Sequence, residues 1–263
     1  MLNFIENIFQ IQIIKNAFWF GFISSLIAIT ISPIQFLKIQ KQSTGSSYIS
    51  IIKYYYKNHG LKIFFIGSIE FSFLQFFSSA AFGVSEFFSR KIIINNNLEF
   101  NPISIIISTI FAGFLETIFT IIFEFKAIEA NKINLIERKT SYLNIFFPLL
   151  YRNSLYWIGS LGSIFIINIL EKKYNINFTN SLSLLLSFFI GLFWAIMTTP
   201  IDMIISQKVG SDNDIYKKQN IFIILKDKIT NDGISEILRG SLARISLSTI
   251  FTIGTVLTQR FLN

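Results

Sequence analysis

Residues 33–42 read PIQFLKIQKQ and residues 200–209 read PIDMIISQKV. Each stretch opens on Pro-Ile at the end of a long apolar run, and IFEFKAIEAN, starting at Ile122, holds the corresponding place between them. Working outward, a small residue lies nine positions before each start, at Ser24, Gly113 and Gly191. Four positions earlier come Phe20, Thr109 and Ser187. Downstream, Gly60 and Gly67 bracket LKIFFI, and Gly233 and Gly240 bracket ISEILR at the same separation. The middle copy, Ser141 to Pro148, keeps only the spacing. The chain is therefore a three-fold internal repeat, with copies over 13–93, 100–173 and 178–263.

Each repeated feature has a physical use in a membrane. Small residues at i and i+4 let helices approach closely. A proline late in a membrane helix kinks it, so three such helices can converge at one end. A glycine opening the next helix lets backbone N–H groups approach a lipid phosphate.

Composition supports this setting. Mean hydropathy is +0.56 and only 14% of residues are charged, against roughly 25% in soluble chains. Six segments approach the roughly 20 apolar residues needed to cross about 30 Å of hydrocarbon: 17–37, 63–88, 103–125, 145–170, 181–206 and 239–262. The links joining spans 1–2, 3–4 and 5–6, with their flanks, hold 17 of the 23 basic residues. The positive-inside rule turns those links toward the electrically negative compartment, which leaves both termini on the other side. Within them, SYISIIKYYYKN (47–58) and NIFIILKDKIT (220–230) suit helices lying in the interface with Lys snorkelling outward. The opening MLNFIENIFQ reads as an amphipathic lead-in helix and not as a transit peptide.

These repeats resemble the mitochondrial carrier family, whose signature is Pro-x-[Asp/Glu]-x-x-[Lys/Arg] closing each odd helix, with a Gly-rich start to each even helix. Here the signature reads Pro33-Ile-Gln35-Phe-Leu-Lys38, then Ile122-Phe-Glu124-Phe-Lys-Ala127, then Pro200-Ile-Asp202-Met-Ile-Ile205. The resemblance implies one all-α domain over 1–263, with six transmembrane helices in three pseudo-threefold pairs around a cavity. It also implies short matrix-side surface helices, a place in the mitochondrial inner membrane and termini toward the intermembrane space. The implied partners are the lipid bilayer, with cardiolipin held near Gly67, Arg239 and Gly240, and other inner-membrane subunits.

Two gates are expected from the resemblance, both eroded. The matrix-gate remnants are Pro33, Gln35, Lys38, Glu124, Pro200 and Asp202. Gln35, Ala127 and Ile205 are uncharged, so one bridge of three is expected. Lys126 cannot restore another, because two residues from Glu124 is about 200° round the helix. At the opposite mouth the remnants are Glu86, Asn168, Glu171 and Arg260, again with at most one bridge. The implied cavity contact points fall near Phe73, Leu155 to Tyr156, and Leu247 to Ser248, none charged. Arg152 and Arg244 either face the cavity or reach lipid phosphates. Glu116 reads as a solute or proton site, or equally as a protonated or paired interhelical Glu. Glu70 reads as a solvated end residue.

Enzyme chemistry is set aside. No P-loop, nucleophile elbow or HExxH occurs, no Cys is present and His59 is the single His. No metal, cofactor or nucleic acid is expected. With both gates eroded, the sequence points first to a structural accessory subunit of a respiratory-chain or ATP synthase assembly. The alternative is an active carrier of a small metabolite working by alternating access.

Overall fold

The computed structural model describes residues 2–95, 102–132, 142–174, 180–209 and 219–262, and these are helical with no strand. Six long helices carry the architecture: α1 (Leu2–Thr44), α3 (Ser68–Asn95), α4 (Pro102–Ala130), α5 (Leu143–Tyr174), α6 (Asn180–Lys208) and α9 (Ser241–Leu262). Short helices α2 (Tyr48–His59), α7 (Ile221–Asp232) and α8 (Ile234–Ile237) sit in two of the links. Among the described residues, three stretches are long and apolar enough to cross a membrane: Ile14–Thr44, Leu61–Ser85 and Phe188–Lys208. They mark the chain as a membrane protein.

The long helices pack as a ring in chain order. Helix α1 packs on α3, α3 on α4, α4 on α5, α5 on α6 and α6 on α9, and α9 returns to α1. Close approach depends on small residues. A Cβ at Gly113 on α4 would lie 2.7 Å from the Ser154 backbone nitrogen on α5, and one at Gly191 on α6 would lie 3.2 Å from Thr249 Cα on α9. On α1 Gly21 takes this role against the Phe76 carbonyl of α3. The nine-residue spacing had pointed to Ser24, which is buried.

Pro33 and Pro200 both sit inside helices that continue past them. Proline cannot donate to the carbonyl four residues back. At Pro33 that carbonyl belongs to Ile29, and the Ser32 hydroxyl donates to it at 2.9 Å. A broken backbone bond is thus replaced from the neighbouring side chain, as apolar surroundings require.

The first and third links share one backbone plan. Each carries a 12-residue helix capped by a polar side chain, Ser47 for α2 and Asn220 for α7. Each then passes Gly60 or Gly233, a short helical turn, and Gly67 or Gly240 into the next long helix. All four glycines have φ between 72° and 85°, a region costly for residues with a Cβ. Helix α2 buries Ile51 and Tyr55, while Ile49, Ile52, Tyr54 and Tyr56 stay exposed. The middle link, between α4 and α5, is described only at its ends, Asn131–Lys132 and from Tyr142 onward.

Candidate functional site

The C-terminal ends of α1, α4 and α6 converge, and their polar side chains lock together. Lys38 Nζ lies 2.8 Å from Asp202 Oδ2, both nearly fully buried. This is the one bridge that the signature residues were expected to retain. The expectation that nothing more forms is overturned, because α5 and α9 supply the missing cations. From α5, Arg152 binds Glu124 through two nitrogens, at 2.9 and 3.2 Å, and reaches Asp202 Oδ1 at 3.0 Å. From α9, Arg244 approaches Asp202 at 3.7 Å. Arg152 also donates to Asn153 Oδ1, whose amide donates to Thr117 Oγ1 at 3.2 Å. Five helices thus meet at Glu124 and Asp202, the forked guanidinium providing the bidentate fit.

Beyond this ionic layer lies a ring of polar ties between helix ends. Gln40 of α1 donates to the Asn131 carbonyl just after α4. Lys132, in the same turn, donates to the Ser206 and Val209 carbonyls of α6. Gln207 of α6 donates to the Gln42 carbonyl of α1 at 3.2 Å, and Ser206 Oγ donates to Gln42 Oε1 at 2.7 Å. Carbonyls at helix C-termini lack intrahelical partners, so each helix end is satisfied by its neighbour. Gln40 and Gln207 stand seven residues after Pro33 and Pro200. That equivalence was in the sequence and is the signal that would have revealed this ring.

Burial of the Lys132 ammonium pulls its pKa down to about 8, from near 10.4 in an unfolded chain. Between these values the unfolded chain holds a proton that the folded one has shed, so stability rises with pH across that window. The thermal midpoint of the wild type should therefore climb relative to Lys132→Met from pH 8 to 10, with no relative change from pH 6 to 7.5. A flat difference up to pH 10 would show the ammonium to be solvated.

Above the ionic layer the ring encloses a pit of about 70 Å³ that opens at its mouth. Lys38, Glu124, Arg152 and Arg244 form its floor, with Gln35 beside them. Higher up, Glu116 of α4 is buried and bridges two neighbours. The Ser78 hydroxyl of α3 donates to one oxygen, and the Trp157 indole N–H of α5 donates to the other at 2.6 Å. The interhelical alternative for Glu116 thus describes its contacts, although both donors are neutral.

The expected contact points divide. Tyr156 and Ser248 line the pit. Phe73 does not: it is exposed and stacks on Phe123, while Leu74 and Gln75 face inward. Leu155 packs into the apolar core around Ile201 and Ile204. One helical residue is about 100° of rotation, so a one-residue misplacement turns a lining position outward. The side chains of Glu86, Asn168, Glu171 and Arg260, expected at the opposite mouth, lie outside the described residues.

Gly67 faces Asn131 and Gly240 faces Gln42, each within 3 Å of where a Cβ would stand. Arg239 pairs with Glu236 and lies against Gly45. Glu70 lies in the first turn of α3, where the helix dipole favours a carboxylate. Among the described residues no group of His, Cys, Asp and Glu could hold a metal ion. Comparison with protein-family models and with curated proteins finds no match to this chain.

Proposed function

We propose that this chain is a six-span, carrier-type protein of the mitochondrial inner membrane that moves a small solute through its central pit by alternating access. One observation carries the reading: a polar pit floored by a buried ionic latch that joins five helices. Alternating access needs two states a few kcal/mol apart that a ligand can rebalance. With Arg152 and Arg244 added to Lys38, the latch holds enough charge for such an exchange, which the signature residues alone did not.

The remaining spans fit this architecture. Helices α4 and α5, of 29 and 32 residues, reach about 43 and 48 Å at 1.5 Å per residue, enough to cross a bilayer with tilt. Closure of the ring and the shared plan of the first and third links support three pseudo-repeats. The excess of basic residues in the links supports a latch that faces the matrix. Bilayer lipid, with cardiolipin suggested by the resemblance, is the proposed partner where Lys41, Tyr48, Arg239 and Ser241 line a groove.

Uptake by proteoliposomes tests the reading, with Lys38→Met as the probe. Asp202 keeps Arg152 and Arg244 in that variant, so the fold should persist. Weakening the latch should change the rate of uptake by about tenfold or more, equivalent to about 1.4 kcal/mol. Equal rates in the two proteins would remove the latch from the mechanism.

A second reading, a structural accessory subunit of a respiratory-chain or ATP synthase assembly, is favoured by the exposed aromatic faces. Phe18 and Phe22 on α1, Phe111, Phe114 and Phe119 on α4, and Phe189 and Phe193 on α6 all point outward, where a protein or lipid partner would cover them. Native gels of gently solubilised mitochondria separate the readings. Migration only with a large assembly, and no uptake, selects the subunit. Migration near 30 kDa with uptake selects the carrier.

A further inference from the structure

Three cations, Lys38, Arg152 and Arg244, and two carboxylates, Glu116 and Glu124, line the pit, with Asp202 bound to the cations from outside the lining, and their pairing is uneven. Lys38 pairs with Asp202 at 2.8 Å and Arg152 with Glu124 at 2.9 Å. Arg244 and Glu116 hold the loosest ionic contacts of the set. Arg244 reaches Asp202 only at 3.7 Å, on an oxygen that Arg152 already holds at 3.0 Å. Its buried Nε has no hydrogen-bond acceptor among the described residues. Glu116 has two neutral donors, Ser78 and Trp157, and no cation within ion-pair distance among the described residues.

A carboxylate offers about four acceptor sites, so Glu116 can take further donors from the pit. Both groups line the same cavity, Glu116 from α4 and Arg244 from α9. A buried charge without a partner is costly, so the favoured occupant supplies one anion and one cation together. A simple anion would leave Glu116 uncompensated, and a simple amine would leave Arg244 so. Phe71, Leu74, Leu247 and Phe251 form an apolar cluster along the same wall, which suits an uncharged side group.

We propose that the pit takes a zwitterionic solute of neutral amino-acid type, its carboxylate on Arg244 and its ammonium on Glu116. This rests on the transport reading for its purpose, though not for its chemistry. Occupancy also supplies a trigger. A carboxylate on Arg244 draws that guanidinium away from Asp202, loosening the latch from the pit side.

The test is thermal unfolding of the purified full chain in lipid nanodiscs with each neutral protein amino acid. Leucine is compared with 4-methylpentanoate and 3-methylbutylamine, and alanine with propanoate and ethylamine. At least one amino acid should raise Tm by about 2 °C or more, with its deaminated and decarboxylated analogues inert at equal concentration. In Glu116→Gln the amino acid should lose its advantage over the acid, and in Arg244→Gln its advantage over the amine. The wild-type panel decides even where a variant fails to fold. No shift from any neutral amino acid, an equal shift from an acid or amine alone, or a retained advantage in Glu116→Gln overturns the proposal. Proteoliposome uptake separates the two claims. Binding without uptake removes transport and keeps the site, whereas uptake of propanoate alone keeps transport and removes the zwitterion.

Discussion

Asp202→Asn is expected to destabilise the protein by about 3–5 kcal/mol, the range for removing one partner from a buried ionic cluster. Asp202 is 1% exposed and faces Lys38, Arg152, Arg244 and the Gln42 amide. Asparagine has nearly the same shape, so no cavity opens and the effect reports charge. Three buried cations would then face Glu124 and Glu116 alone. Combining Asp202→Asn with Lys38→Met should cost less than the sum of the two singles, because the double variant removes both members of one pair. Chemical unfolding in nanodiscs measures this cycle. A loss under about 1 kcal/mol for Asp202→Asn, the value of a solvated pair, would mean that the latch is open to water.

At Gly113→Ala the expected loss lies toward the upper end of the roughly 1–3 kcal/mol typical of overpacking. The added Cβ would meet Ser154 N at 2.7 Å and Ser154 Cα at 2.8 Å. Backbone atoms cannot rotate aside, so α4 and α5 must separate. The same interface carries Trp157 to Glu116, Asn153 to Thr117 and Arg152 to Glu124, and separation strains all three. Gly254→Ala is the control: its Cβ meets only Ile27 Cδ1, the tip of a flexible side chain. Equal losses at the two glycines would deny the close helix contact.

Much of the frame was legible because it rests on local rules. Apolar runs longer than a bilayer is thick announce helices. The repeated spacing of Gly60 and Gly67, and of Gly233 and Gly240, was visible in the sequence, and the structure adds that all four take positive φ, a region that favours glycine. Lys38, five residues after Pro33, and Asp202, two after Pro200, stand at the basic and acidic places of the signature, so one bridge was expected among them and Glu124, without its partner being fixed. Phe73 and Leu155 show the limit of such counting, since helical phase is lost within a single residue.

Sequence alone determined that the chain is helical and rich in membrane-length apolar segments. These properties are written in hydropathy and in backbone stereochemistry, and both are local. Tertiary structure alone decided that Arg152 and Arg244, far from the signature positions, reach Glu124 and Asp202, and that Glu116 is left with neutral donors. Long side chains on neighbouring helices can exchange partners across a few ångströms, and no spacing along the chain encodes which carboxylate each guanidinium will find.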